Sequence, residues 1–381
     1  MSFVWLRKQF ELSRGGGAHN VGAMEGLRGF AVLLVFSVHY VSSIEPWIAQ
    51  NADLLAFAKT LKQIGNSGVD LFFVLSGYLI YSSVASRYQP LLPFFARRIQ
   101  RIYPAFAATF AVYIVLSLLF PAENKIPSSA GDGAIYLLQN LLLLPGLFPI
   151  RPMITVAWSL SYEMFYYLAV PLLVAILKLR QRSPAWRVTL FLLIAVSLAT
   201  FTAIHGGPVR LMMFISGILL FETLNHSQLR ASSGAGFIAL VVGLSGMLLP
   251  IADPAGIAVR VSILFVAFFV LCLACFRTPT AQLPLAFSWT PLRWLGNMSY
   301  SYYLIHGLAL HAGFLALSRV VPPTGEQSAL FWMLLPPMLA LTLVASAPLY
   351  LLIERPFSLA PRPKRSAPKL PQAASASESG S

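Results

Sequence analysis

Charge is what this sequence has least of. Only 10% of its 381 residues are Asp, Glu, Lys or Arg, and 57% are hydrophobic, a balance that excludes a water-soluble domain and points to a polytopic membrane protein. Acidic residues are the scarcer sign, 13 against 27 basic ones. The resulting net charge of +14 reads as basic loops facing the cytoplasm, not as a nucleic-acid-binding surface. Cysteine is nearly absent. Cys272 and Cys275 stand in one apolar run, and two thiols make neither a disulfide framework nor a zinc site, so no metal is expected. There is no Walker loop and no Gly-x-Ser-x-Gly elbow, which argues against ATPases and hydrolases. The first 23 residues lack the apolar segment and small-residue cleavage site of a signal peptide. No repeat of 20–50 residues is visible, which excludes a solenoid.

What is present is apolar sequence in blocks. Runs fall near 26–44, 69–85, 101–120, 133–148, 156–178, 186–204, 209–224, 234–251, 259–276, 300–317 and 330–353. All except 133–148 approach the roughly 20 residues a spanning helix needs. That run, short at 16 residues, is also interrupted by Pro145 and Gly146, which suits a re-entrant or interfacial segment. Leaving it out places most of the basic residues, the cluster at 178–187 included, on the side of the N-terminus. The expected fold is therefore an all-α transmembrane bundle of about ten spans plus one re-entrant segment, in the inner membrane with both termini cytoplasmic. Its expected divisions are a basic leader (1–23), a membrane domain (24–357) and a disordered Pro/Ala/Ser-rich tail (358–381).

Against this background a few polar residues stand out. The run GLRGFAVLLVFSVHY carries Arg28 and His39, about 16 Å apart along a helix. Ionisable residues inside a span cost roughly 2.5–3.5 kcal/mol at its centre and are functional candidates for that reason. His39 reads either as a proton-transfer group or as a neutral imidazole bonded to a neighbouring helix. Asp70 begins the second span at the outer level of His39, where it would orient the imidazole or cap its own helix. Glu163, in AWSLSYEMFYYL, lies inside an apolar helix with no capping role, and is expected at the depth of His39 and Asp70. On the opposite face FFARRIQRIYP carries Arg98 and Arg101, three apart and so on one side of a helical turn. They suit bidentate phosphate binding or anchoring to anionic lipid headgroups. His306 and His311 lie about 140° apart on one helix and cannot share a metal. His306 either lines a cavity or is a satisfied core histidine. A proton-coupled transporter or flippase is the rival class, since buried carboxylates and basic loops serve it equally.

The array of motifs resembles the integral-membrane acyltransferase family 3, bacterial O-acetyltransferases of O-antigen, exopolysaccharide, peptidoglycan and Nod-factor sugars. The resemblance rests on LRGFAVLLVFSVHY, GVDLFFVLSGYLI, FFARRIQRIYPAF, AWSLSYEMFYYL, SYSYYLIHG and the terminal ERPF, in that order over residues 22–357. The His-x4-Asp signature of soluble acyltransferases is absent, the fifth residue after His39 being Ile44. Tyr162 stands where relatives often have Val, and no esterase-like domain follows, which implies the stand-alone form. The resemblance implies transfer of an acyl group, acetyl above all, from acyl-CoA to a hydroxyl of an extracytoplasmic or lipid-linked glycan. Its matched residues are His39, Asp70 and Glu163 for catalysis and Arg28, Arg98 and Arg101 for the donor. His306, in the inner half of its helix, is expected with the donor group. The phosphates of CoA cannot enter hydrocarbon, so they would stay with the arginines while the pantetheine arm reached toward His39. The expected partners are membrane lipids, the acyl-CoA donor and the carbohydrate acceptor.

Overall fold

The computed structural model describes residues 3–11 and 21–359; the tail beyond them lies outside the described residues. The chain forms α1 (Phe3–Phe10), α2 (Val21–Ile48), α3 (Ala52–Gly65), α4 (Ser67–Ala85), α5 (Leu91–Leu119), α6 (Ala130–Leu141), α7 (Trp158–Ile176) and α8 (Pro184–His205). There follow α9 (Met212–His226), α10 (Ser233–Gly246), α11 (Pro254–Arg277), α12 (Gln282–Phe287), α13 (Thr290–Asn297), α14 (Ser299–Val320) and α15 (Ser328–Leu349), which runs on into a π-helical turn over Tyr350–Ser358. Helix starts follow from local chemistry. Asn51, Ser129, Ser183, Ser232 and Asp253 each accept a hydrogen bond from a first-turn N–H of α3, α6, α8, α10 and α11 respectively, contacts worth about 1 kcal/mol apiece.

The all-α expectation holds, and the protein is a multi-pass membrane protein. Among the described residues eight segments are long and apolar enough to cross a bilayer: Gly22–Ile48, Ala52–Ala85, Leu91–Leu119, Thr155–Ile176, Pro184–His205, Pro254–Arg277, Ser299–Val320 and Ser328–Ser358. The runs at 209–224 and 234–251 become α9 and α10, of 15 and 14 residues. At 1.5 Å per residue these are shorter than the roughly 30 Å hydrocarbon core. The run at 133–148 becomes the 12-residue α6 followed by a turn in which Leu143 and Gly146 take positive φ. The sequence runs missed α3, whose Lys59, Lys62 and Gln63 break the apolar pattern.

Inside the bundle two pairs of helices approach at glycines. A Cβ on Gly77 of α4 would lie 2.0 Å from the Phe214 carbonyl of α9, and one on Gly217 of α9 the same distance from the Val74 carbonyl. Helices α2 and α13 meet likewise at Gly29 and Gly296. Outside, Leu118, Leu168, Leu193, Ile238, Val266 and Met333 are exposed, the apolar cover that lipid requires. Helix α1 folds back onto one end of the bundle, where Phe10 stacks on Tyr350 with ring centroids 5.3 Å apart.

Candidate active site

Helix α4 gives a scale of depth. Asp70, Ser76 and Ser83 are separated by about 9 and 10 Å along its axis, and each meets a different polar group. At the Ser83 end, Arg98 of α5 donates from Nη2 to Ser83 Oγ at 3.0 Å. Its guanidinium lies 5.0 Å from the ring centre of Phe94 and 5.1 Å from that of Tyr167, an aromatic slot that holds a cation in place. At mid-depth Glu163 of α7 accepts from Tyr167 OH at 2.6 Å and from Ser76 Oγ at 3.4 Å. At the far end Asp70, fully buried, meets Arg210 Nη1 at 3.3 Å.

These levels enclose a cavity of about 160 Å³. Arg28, Arg98, Arg101 and Glu163 line it together with Ser76, Ser159, Tyr167, Ser299 and Tyr303, and its apolar wall includes Phe72, Phe73 and Ile102. The three arginines come from two helices. Arg28, one turn into the apolar part of α2, donates to Ser299 Oγ from Nε and Nη2 at 3.1 and 2.8 Å. Arg101, one turn after Arg98, donates from Nη1 to Glu354 Oε1 at 2.7 Å and lies over the Tyr300 ring. Three cations against one carboxylate facing the same space favour a ligand that is anionic at one end and apolar along its length.

His39 is placed differently. It is half-buried, does not line the cavity, and packs edge-to-face on His306 with ring centroids 4.8 Å apart. His306 is fully buried and donates from Nδ1 to the Tyr302 carbonyl at 3.0 Å, since a carbonyl can only accept. Its ring lies 5.9 Å from that of Tyr303, the residue that faces the cavity. A chain of aromatic rings thus joins His39 to the cavity wall. The expected cluster of His39 with both carboxylates does not form: among the described residues no hydrogen bond or ion pair joins His39 to Asp70 or Glu163. Helices α2 and α7 turn those side chains to different neighbours, and Glu163 joins the arginines instead. Asp70 does not cap α4, whose N-cap position is Asn66. His311, by contrast with His306, is exposed and faces Glu123 at 3.9 Å.

Buried carboxylates show a pattern that sequence reading missed. Glu25 pairs with Arg293, Asp70 with Arg210, Glu222 with Arg187 and Glu354 with Arg101. Arg187 holds Glu222 through Nε and Nη2, both at 2.8 Å, and Tyr81 and His226 complete that group beside a second cavity. Among the described residues Glu163 has no arginine within ion-pair distance. No spacing or motif signals Arg210, which stands in a short 3₁₀ turn 140 residues from Asp70. Glu354 was visible within ERPF, but no role was attached to it. Outside the spans, Lys125 donates to the Met153 carbonyl at 3.1 Å, and burial, with the nearby charge of Arg151, holds its ammonium below the usual lysine pKa.

A polytopic helical bundle with an arginine-lined, largely apolar cavity defines a membrane enzyme or carrier of an anionic amphiphile. The sequence decides between them: residues 21–351 match the acyltransferase domain of the acyltransferase 3 family, and the chain belongs to that family. It is 26% identical over 325 residues to the peptidoglycan O-acetyltransferase OatA of Listeria monocytogenes, covering 75% of this chain and 49% of the relative. The O-acetyltransferase OatA of Staphylococcus aureus is 27% identical, with 74% and 49% covered. The chain spans about half the length of these curated relatives. The acyltransferase MdmB of Streptomyces mycarofaciens is 27% identical over 393 residues, with 92% of this chain and 98% of the relative covered. No solved structure matches the chain.

Proposed function

We propose that this protein moves an acyl group, acetyl in the first instance, from cytoplasmic acyl-CoA to a hydroxyl of an extracytoplasmic or lipid-linked glycan. The observation that carries the reading is the cavity itself. Arg28, Arg98 and Arg101 line it, apolar side chains run along it, and Glu163 is the carboxylate in its wall. Phosphates of the donor stay with the arginines, and the uncharged arm and acyl group lie along Phe72, Phe73 and Ile102. His39, eleven residues beyond Arg28 on α2, receives the proton of the acceptor hydroxyl. The hydroxyl oxygen then bonds to the thioester carbonyl carbon, the C–S bond breaks, and the CoA sulfur leaves as a thiol after taking up a proton. Asp70 holds Arg210 at that same end, and His306 backs His39. The acceptor approaches from the end opposite the arginines, where His39 is part-exposed, and the acyl end of the donor passes Tyr303 and His306, whose rings move aside, to meet the hydroxyl beside His39.

In this reading α9 and α10 also cross the bilayer, making ten spans with both termini cytoplasmic, and α6 lies against the outer interface. The OatA relatives support a glycan acceptor. The reading is tested by incubating membranes that contain the protein with acetyl-CoA labelled in the acetyl group and identifying the product by mass spectrometry. Label should appear as a base-labile ester on a glycan or lipid-linked sugar. Label recovered solely as acetate or acetyl-CoA from membranes rich in folded protein would sink it.

A further inference from the structure

The terminal ERPF segment is the one motif of the sequence that the site description leaves without a task. Its glutamate, Glu354, is fully buried. Both oxygens are engaged: Oε1 accepts from Arg101 Nη1 at 2.7 Å, and Oε2 accepts from Ser301 N at 3.0 Å and Ser301 Oγ at 2.6 Å. The carboxylate does not line the cavity whereas Arg101, its ion-pair partner, does, so any effect it has on the reaction passes through Arg101. Arg101 does line the cavity, and Nη1 makes its one hydrogen bond among the described residues. The rest of its fork is free for a ligand.

The backbone beneath Glu354 is itself unusual. Helix α15 changes to π winding at Tyr350, and the Leu359 N–H reaches back to the Glu354 carbonyl at 3.1 Å. Single π turns inside α-helices occur mostly at functional positions, since the wider winding re-aims the side chains that follow. Here it sends neighbouring residues to different partners. Arg355 Nη2 donates outward to the Lys8 carbonyl at 3.0 Å, while Glu354 points inward. The turn is also tied to α5 at a second point, Gln100 Nε2 donating to the Phe357 carbonyl at 3.1 Å. Two successive residues of α5, Gln100 and Arg101, are thereby gripped by one π turn.

We infer that Glu354 is a positioning residue of the donor site: the π turn aims it, Ser301 fixes it, and it holds one arm of Arg101 so that the other faces the phosphates of acyl-CoA. The inference rests on Arg101 being a donor-binding residue. A long cationic side chain left unheld would have to be ordered by the ligand itself, at the expense of affinity.

The test is equilibrium binding of labelled acetyl-CoA to the purified full-length protein in detergent, alongside its thermal midpoint. Arg101→Lys should weaken binding, and Glu354→Ala should weaken it by about tenfold or more, the size of one well-placed contact. Glu354→Gln keeps an acceptor for either Arg101 or Ser301 and should fall between. In the Arg101→Lys background Glu354→Ala should add little, because the held fork is already gone. Ser301→Ala, which removes one bond to Oε2 and leaves the charge pair, supplies a milder variant should Glu354→Ala fail to fold. Binding unchanged in folded Glu354 and Ser301 variants, with Arg101→Lys impaired, would overturn the positioning role alone. Binding unchanged in Arg101→Lys would remove the donor-site reading and this inference with it.

Discussion

Glu25, Asp70, Glu222 and Glu354 each meet an arginine inside the bundle, whereas Glu163 meets Tyr167 and Ser76. Breaking a buried pair by removing one partner typically costs 3–5 kcal/mol, so those four carboxylates are bound up with folding. Glu163 is held by hydroxyls and His39 by ring packing on His306, contacts of smaller individual cost. Because His39 does not line the cavity proposed for the donor, His39→Ala should leave acetyl-CoA binding intact while lowering turnover by roughly 10²–10⁴-fold. Parallel measurement of donor affinity and rate in one preparation checks this, and near-normal turnover in folded protein would take the base away from His39. Much of this site was legible in residues. Arg28, Arg98, Arg101 and Glu163 were all picked out by charge inside apolar sequence, and they line one cavity. What could not be read was which of them face each other. Glu163 was expected at the level of His39, but the rotation of α7 about its axis is set by packing against α4 and α9, which a single sequence does not encode locally. Partners such as Arg210 and Glu354 lie far away in the chain, and no spacing rule connects them.

Helices α4 and α9 touch along their glycines, and this contact places Ser76 opposite Glu163. A methyl group on Gly217 would meet the Val74 carbonyl at 2.0 Å, too close for any side chain to relieve. Gly217→Ala should therefore destabilise the bundle by about 1–3 kcal/mol or more, read as a lower thermal midpoint in detergent. Gly307 of α14 provides the contrast, since a Cβ there meets nothing within 4 Å. Gly307→Ala should be neutral or stabilising by up to about 1 kcal/mol. Equal effects from the two substitutions would mean that helix propensity, not approach distance, governs both. At this scale the apolar runs anticipated the long spans well, because twenty apolar residues have few alternatives. They failed at α3, where lysines on a helix that packs against α2 disguise it, and overran the end of α10, which stops at Gly246.

Across the whole molecule the distribution of basic residues favours one orientation, which can be measured. Ser128 and Arg182 are both exposed and lie in different connections, while Cys272 and Cys275 are buried and free. In the proposed topology Ser128→Cys should react with an impermeant thiol reagent from outside intact cells and Arg182→Cys only after the inner face is opened. Labelling of both from one side would require a different number of crossings. Ser128 is the better probe than Lys125, whose ammonium is tied to backbone carbonyls.

The row of rings formed by Tyr303, His306 and His39 separates the arginine-lined cavity from the opposite end of the bundle. A cell membrane is also an electrical insulator, and about 2.3 kcal/mol of work is stored per elementary charge for each 100 mV across it. An open aqueous path from the arginines to His39 would short-circuit that store. In the proposed reaction these rings part only for the uncharged acyl end of the donor while its charged carrier stays behind, so that the voltage never sees the transfer.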